Sequence, residues 1–251
     1  MSKNDSADTL PPCKGRVLLH SCCAPCSAAV IENLLQNGID FSVYYYNPNI
    51  VPREEYELRK SENKKFAERF GVEFIDGDWD NENWLSVCGS MMDLPERGAR
   101  CLECFKMRLL QSAKFAKSNG YAVFTTTLAA SRWKSVEQLN EAGKFAESAV
   151  GGVKFWARNW RKGGLTERRA QLLRQYNFYN QTYCGCKQAA ACTATELRSF
   201  CDTSARLSSR LLCISTHCLR QSLCLFELIL WSSETKSTKA KPPQWRTGSS
   251  L

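Results

Sequence analysis

From residue 17 onward, short apolar runs alternate with longer stretches whose apolar positions recur at helical spacing. Val17–Leu19 begins with a β-branched residue and is apolar throughout, which predicts a short buried strand. Pro25 suits the first turn of a helix. Ser27–Gln36 reads as that helix, with Ala29, Val30, Leu34 and Leu35 apolar and Gly38 as its stop. Phe41–Tyr46, rich in β-branched and aromatic residues, predicts a second strand. A charged helix over Glu54–Phe70 is ended by Gly71, and Val72–Ile75 is a third strand. A short helix is expected around Trp84–Val87. Cys101–Ser118 predicts a helix, Tyr121–Thr127 a fourth strand, Ser135–Ala149 a helix, Val153–Trp156 a fifth strand and Glu167–Tyr179 a last helix.

This alternation is the signature of an α/β domain, a mostly parallel sheet with helices on both faces in a Rossmann-like three-layer arrangement. In such sheets ligands bind beyond the carboxyl ends of the strands. The loops after the first four strands hold Cys22–Cys26, Asn47–Ile50, Asp76–Asp80 and Leu128–Ser131, and all are expected on that one rim. Residues 1–13 read as a disordered lead, 14–190 as the α/β domain, and 191–251 as an atypical extension. After Cys186 the strand–helix rhythm stops, and Lys236–Pro243 is a basic, proline-containing tail expected to be disordered.

Composition changes this picture in one respect, the 14 cysteines. The first residues are polar and no uninterrupted apolar stretch is long enough for a membrane span, so a cytoplasmic, reducing setting is expected, away from membranes. There, clustered cysteines point to metal or redox chemistry rather than to disulfide staples. With only 2 histidines, His20 and His217, cysteine is left as the metal ligand. Of the net charge of +9, +5 falls in 187–251. A denser local cluster comprises Arg158, Arg161, Lys162, Arg168 and Arg169, a candidate contact for nucleic-acid phosphates.

Seven of the 14 cysteines fall into three separated groups: Cys22, Cys23 and Cys26; Cys101 and Cys104; Cys184 and Cys186. C-x-x-C at a helix start puts two thiols on one turn, where they can bind one metal or one cluster. Adjacent Cys22 and Cys23 suit an iron–sulfur cluster, whose separated irons need differently directed ligands. A structural zinc site on Cys22, Cys23, Cys101 and Cys104 is the alternative, along with cysteines that merely fill a core. Gly185 allows a bend that would let Cys184 and Cys186 form a strained, labile disulfide. The remaining polar candidates read first as structure: His20 as a satisfied buried histidine, Asn47, Asn49, Asp76 and Asp78 as turn formers, Thr125–Thr127 and Tyr44–Tyr46 as strand residues, with one tyrosine ring a possible base-stacking surface.

Taken together, these residues resemble the QueH-type epoxyqueuosine reductases. The resemblance is carried by His20-Ser-Cys-Cys-Ala-Pro-Cys-Ser27, Tyr45-Tyr-Asn-Pro-Asn-Ile50 with Glu55-Tyr56 and Arg59, Cys101-x-x-Cys104 with Arg108-Leu109, Thr125-Thr-Thr-Leu128 with Ser131, Arg161-Lys-Gly-Gly164 and Tyr183-Cys-Gly-Cys186. It spans about 14 to 186 and implies a nucleotide-hydrolase-like α/β fold. It also implies reduction of epoxyqueuosine to queuosine at the wobble nucleotide of tRNA, the last step of queuosine biosynthesis. The implied 4Fe–4S cluster sits on Cys22, Cys23, Cys101 and Cys104, with a redox-active Cys184–Cys186 disulfide, an additional iron beside the cluster and an unidentified electron donor. Some members carry Asp where this chain has Cys26, which makes Cys26 a candidate ligand of the extra iron. Asn159-Trp160 stands where Asp-Phe is expected.

Two other readings compete. An ATP-dependent tRNA-modifying enzyme of the related α/β class needs a glycine-rich phosphate loop after the first strand, where this chain has Ser21-Cys-Cys-Ala-Pro-Cys26. A zinc-stabilised tRNA-binding module would contain zinc and no iron.

Overall fold

The computed structural model describes residues 10–186. The lead over 1–13, except its last four residues, and the extension over 191–251 lie outside the described residues. Five strands form one sheet: β1 (Val17–His20), β2 (Phe41–Tyr45), β3 (Phe74–Asp76), β4 (Val123–Thr126) and β5 (Lys154–Phe155). Their order is β3-β2-β1-β4-β5, and every neighbouring pair is parallel. Among the described residues, six α-helices connect and flank them: α1 (Ala24–Gln36), α2 (Arg53–Arg69), α3 (Asn81–Cys88), α4 (Ala99–Ser118), α5 (Val136–Val150) and α6 (Leu165–Gln175). Helix α1 packs with α2 and α6, while α4 packs with α5 and α3, which gives the expected three layers. Among the described residues, no helix is long and apolar enough to cross a membrane.

Because β1 is the central strand, all four of its residues are buried. Its register sets His20 between Tyr44 of β2 and Thr126 of β4. The chain leaves β1 toward β2 on one side and reaches β4 on the other. The crevice between the β1 and β4 loops is therefore the topological switch point, where α/β sheets place ligands.

Three boundaries differ from the sequence pattern in ways that matter. Helix α1 starts at Ala24, not Ser27, because Cys23 is an extended N-cap and Pro25 fits the first turn. Cys26 is thereby a helical residue, folded back over Cys23. Strand β4 stops at Thr126, whose hydroxyl accepts the Leu128 amide at 3.2 Å and starts a 3-10 turn over Thr127–Ala130. Helix α6 ends at Gln175, because Tyr176 and Phe178 turn back onto Phe66, with ring centroids 5.2 and 5.3 Å away.

Helix α5 lies so close to the sheet that an added Cβ on Gly143 would sit 2.2 Å from the Phe155 ring. Exposed helical Gly→Ala changes usually stabilise, whereas overpacking a filled core costs about 1–3 kcal/mol. Gly143→Ala should therefore lower stability by roughly that amount in urea unfolding. An unchanged or raised midpoint would show that the α5–β5 contact is not tight.

Candidate functional site

The cysteine loop rests on a buried polar cradle. Asn63 of α2 donates to the Ser21 hydroxyl, which is paired in turn with the Ser27 hydroxyl. Ser27 Oγ donates to the Cys23 carbonyl at 2.7 Å, and Asn47 Nδ2 donates to the Ser21 carbonyl at 2.9 Å. From the β4 side, Thr127 Oγ1 accepts the Cys22 amide at 3.1 Å. Such a connected network of buried hydrogen bonds constrains the loop geometry. The Sγ atoms of Cys22, Cys23 and Cys26 consequently lie within 4.8 Å of one another, with Cys22 and Cys23 sulfurs 3.8 Å apart.

Negative charge gathers on Cys22. Hydrogen bonds with Cys23 and Cys26 hold its thiol well below the usual range, against burial, with help from Thr127 and Arg108. The hydrogen bond with Cys22 pushes Cys23 up, and Cys26 up to about 12. The N-terminus of α1 favours a thiolate here as well. His20 takes no part as a ligand. Its Nε2 donates to the Tyr46 carbonyl at 3.0 Å, so Nδ1 accepts from the Thr126 hydroxyl at 2.8 Å. Burial and the charge of Arg108 lower its pKa to about 3, and it stays neutral.

The second cysteine group opens α4, where Cys101 and Cys104 are both buried. Cys101 Sγ accepts the Arg97 amide at 3.3 Å. It belongs to the main core, against which Cys22 packs. Cys104 packs in a smaller cluster with Trp84, Cys88 and Cys186, and burial pushes its thiol up. Among the described residues, Cys101 and Cys104 fall outside the three-sulfur group, whereas Cys26 is inside it.

The third group lies on a strap after α6. Gly185 has φ +121°, and its carbonyl accepts the Val51 amide at 2.9 Å. Tyr183 donates its hydroxyl to the Val51 carbonyl at 2.7 Å. Arg59, itself paired with Glu55 at 2.6 Å, donates to the Tyr183 and Cys184 carbonyls at 3.2 and 3.3 Å. Buried Lys134 places Nζ 2.7 Å from Cys184 Sγ and 3.0 Å from Glu96. The Cys184 thiol is held well below the usual range by its hydrogen bond with Cys186 and, against burial, by Lys134 and Arg108. Burial alone would lower Lys134, but the charges of Cys184 and Glu96 override it and raise its pKa.

The first and third groups meet at one cavity of about 300 Å³, lined by Cys22, Cys23, Cys26 and Cys184 and by Asn47, Asn49, Arg59, Arg108 and Lys134, whereas Cys101, Cys104 and Cys186 do not line it. Arg108 of α4 is the shared cation. It is 2% exposed, bonds the Asn47 side-chain oxygen, and acts on Cys22, Cys104 and Cys184 alike.

Other candidates are placed elsewhere. Asp76 and Asp78 do not line the cavity, because β3 is the outer strand, and Asp76 pairs with Lys60 at 2.8 Å. Tyr44, Tyr45 and Tyr46 are at most 3% exposed, so none offers a free face to a base. Within the basic cluster, Arg169 lines the cavity and bonds the Pro25 carbonyl at 2.8 Å. Arg168 holds Glu32 through two bonds of 2.7 and 2.9 Å, Arg161 bonds the Ser131 and Lys134 carbonyls, and Arg158 lies over the Trp160 ring at 4.3 Å. Trp160 is buried against Trp156, and Asn159 Oδ1 accepts the Arg161 amide at 3.1 Å, so Asn159-Trp160 supplies an acceptor and a packed ring. Sequence reasoning missed Lys134 and Glu96, which carry no local pattern.

The family model described as epoxyqueuosine reductase QueH matches residues 17–191. A protein named epoxyqueuosine reductase QueH from Histophilus somni is 49% identical over 177 residues, covering 70% of this chain and 73% of that protein. Its namesake from Acinetobacter baylyi is 46% identical over 186 residues, covering 74% and 85%. That from Thermotoga maritima is 35% identical over 175 residues, covering 68% and 88%.

A Cβ on Gly185 would meet Ile50 Cγ1 at 2.8 Å, at a φ that side chains rarely adopt. Gly185→Ala should loosen the strap. Strain of about 1–3 kcal/mol there predicts roughly tenfold or faster hydrogen exchange at the Val51 amide. Unchanged exchange would mean the strap is not held by this contact.

Proposed function

The chain belongs to the epoxyqueuosine reductase QueH family, and we propose that it reduces epoxyqueuosine to queuosine at the wobble nucleotide of tRNA. The observation that supports this most is the convergence of the Cys22–Cys26 loop and Cys184 on one cavity under one buried cation. Thiolates, a confined site and positive charge are what a reduction at an oxygen-bearing carbon needs.

The residues fit an iron–sulfur cluster. The donors are sulfur only, with both His20 nitrogens already hydrogen-bonded. A thiolate-held cluster is anionic, and buried Arg108 supplies compensating charge. Cys22, Cys23, Cys101 and Cys104 would hold a 4Fe–4S cluster, with Cys26 as ligand of an adjacent iron. When bound, such a group passes electrons singly and polarises an oxygen.

Converting the epoxide to an alkene consumes two electrons and two protons and releases water. Oxidation of the Cys184 thiolate and the Cys186 thiol to a disulfide supplies both electrons and one proton, and the second proton comes from solvent. An external electron donor then returns the pair to the dithiol. The two cysteines are not equivalent: Cys184 lines the cavity beside Lys134, whereas Cys186 is buried against Trp84. Cys184 is therefore the reacting thiolate and Cys186 its resolving partner. Within the basic cluster Arg169 is the residue that lines the cavity, which makes it the candidate contact for a tRNA phosphate even though it, like Arg161 and Arg168, also has an internal partner. Free thiols and a tRNA substrate suit a reducing cytoplasm.

Anaerobic reconstitution with iron and sulfide, followed by turnover on tRNA bearing epoxyqueuosine, tests the reading. Wild-type protein should yield queuosine, and Cys22→Ala or Cys101→Ala should lose iron and turnover together. Full reduction by Cys101→Ala, or stoichiometric zinc without iron, would contradict it. The Lys134–Cys184 contact makes a separate prediction. In reduced apoprotein, Lys134→Met removes the cation that favours the thiolate, so Cys184 alkylation should need a pH about 1–3 units higher. An unshifted profile would show that Lys134 does not hold the thiolate.

A further inference from the structure

Trp133 is 59% exposed, the most exposed large apolar side chain among the described residues, and it lines the cavity mouth. Single exposed hydrophobic residues are ordinary on protein surfaces. This one sits on a segment that is held from both sides. Arg97 Nη2 and Nε donate to the Arg132 and Trp133 carbonyls at 3.2 and 3.0 Å. Arg161 Nη2 donates to the Ser131 and Lys134 carbonyls, and Ser131 Oγ accepts the Trp133 amide at 3.4 Å. Arg97 adopts φ +66° to do this, and Gln138 Nε2 holds its carbonyl at 2.8 Å. Two arginines, one in a left-handed conformation, thus fix a loop whose next residue, Lys134, points inward to Cys184 while Trp133 points outward. The exposed Arg132 guanidinium lies 4.7 Å from the Trp133 ring centroid.

A cavity of about 300 Å³ is at the small end for a bound ligand and suits one nucleoside. On the function proposed above, the nucleotides beside the reacting one stay outside, unpaired, at the mouth. Single-stranded RNA is recognised by stacking such bases on aromatic rings and guanidinium planes. We infer that Trp133, backed by Arg132, is a preformed stacking platform for the anticodon nucleotide adjacent to the one that enters the cavity.

The probe is an anticodon stem–loop RNA carrying 2-aminopurine next to the wobble position, whose fluorescence is quenched by stacking. Wild-type protein should bind and quench it. Trp133→Ala should bind roughly 5- to 100-fold more weakly, the range expected for a lost base–aromatic stack, and leave the probe bright. Trp133→Phe should restore most of both. Arg132→Ala should reduce the salt dependence of binding by about one counterion. Trp133→Ala binding within about twofold of wild type with quenching intact would overturn the platform. Turnover lost at unchanged affinity and quenching would overturn it too, leaving Trp133 only a support for the loop. If wild-type protein itself reduces no epoxyqueuosine, it is the proposed function that fails.

Discussion

Burying the Arg108 guanidinium is the constraint on which the site depends. A cation at 2% exposure is costly unless nearby groups answer its charge. Here the Asn47 side-chain oxygen accepts from the guanidinium, and the Cys22 and Cys184 thiolates add countercharge. Cys22 follows β1 and Cys184 lies on the strap; each is held low first by its neighbouring cysteine, with Arg108 adding to it, whereas burial keeps the Cys104 thiol of α4 raised despite Arg108. Thiols that would resist ionisation when buried are given a charge to pair with. The same arrangement surrounds the Cys22, Cys23 and Cys26 group, which could hold a metal ion.

The fold makes the convergence possible. The parallel order β3-β2-β1-β4-β5 opens a crevice between β1 and β4, and two helices begin near it with cysteines in or beside their first turns. The polar cradle of Ser21, Ser27, Asn47 and Asn63 converts that general crevice into a defined loop. The strap then closes the arrangement from α6, anchored to the β2 loop through Val51 and to α2 through Arg59. Cys184 thereby reaches the rim without belonging to a strand loop.

Much of this was legible beforehand because it is periodic. The five strands and six helices follow from apolar spacing, and their parallel assembly follows from their alternation. The three cysteine groups were legible from their clustering. What escaped was tertiary in origin. Cys26 looked like a loop residue until Cys23 proved to be the N-cap of α1. The Thr125–Thr127 run read as β-propensity, yet Thr127 holds both the amide and, at 3.5 Å, the sulfur of Cys22. Lys134 gains its meaning only from a strap 50 residues later in the chain. Arg161 and Arg168 looked free for phosphates, and folding gives them carbonyl and carboxylate partners.

The most direct test of the central claim is a measurement on tRNA itself. Expressed in a bacterial host that lacks its own epoxyqueuosine reductase, the chain should convert the tRNA nucleoside pool, and mass spectrometry should detect queuosine with epoxyqueuosine depleted. Persistence of epoxyqueuosine while the expressed protein is folded and iron-loaded would contradict the account.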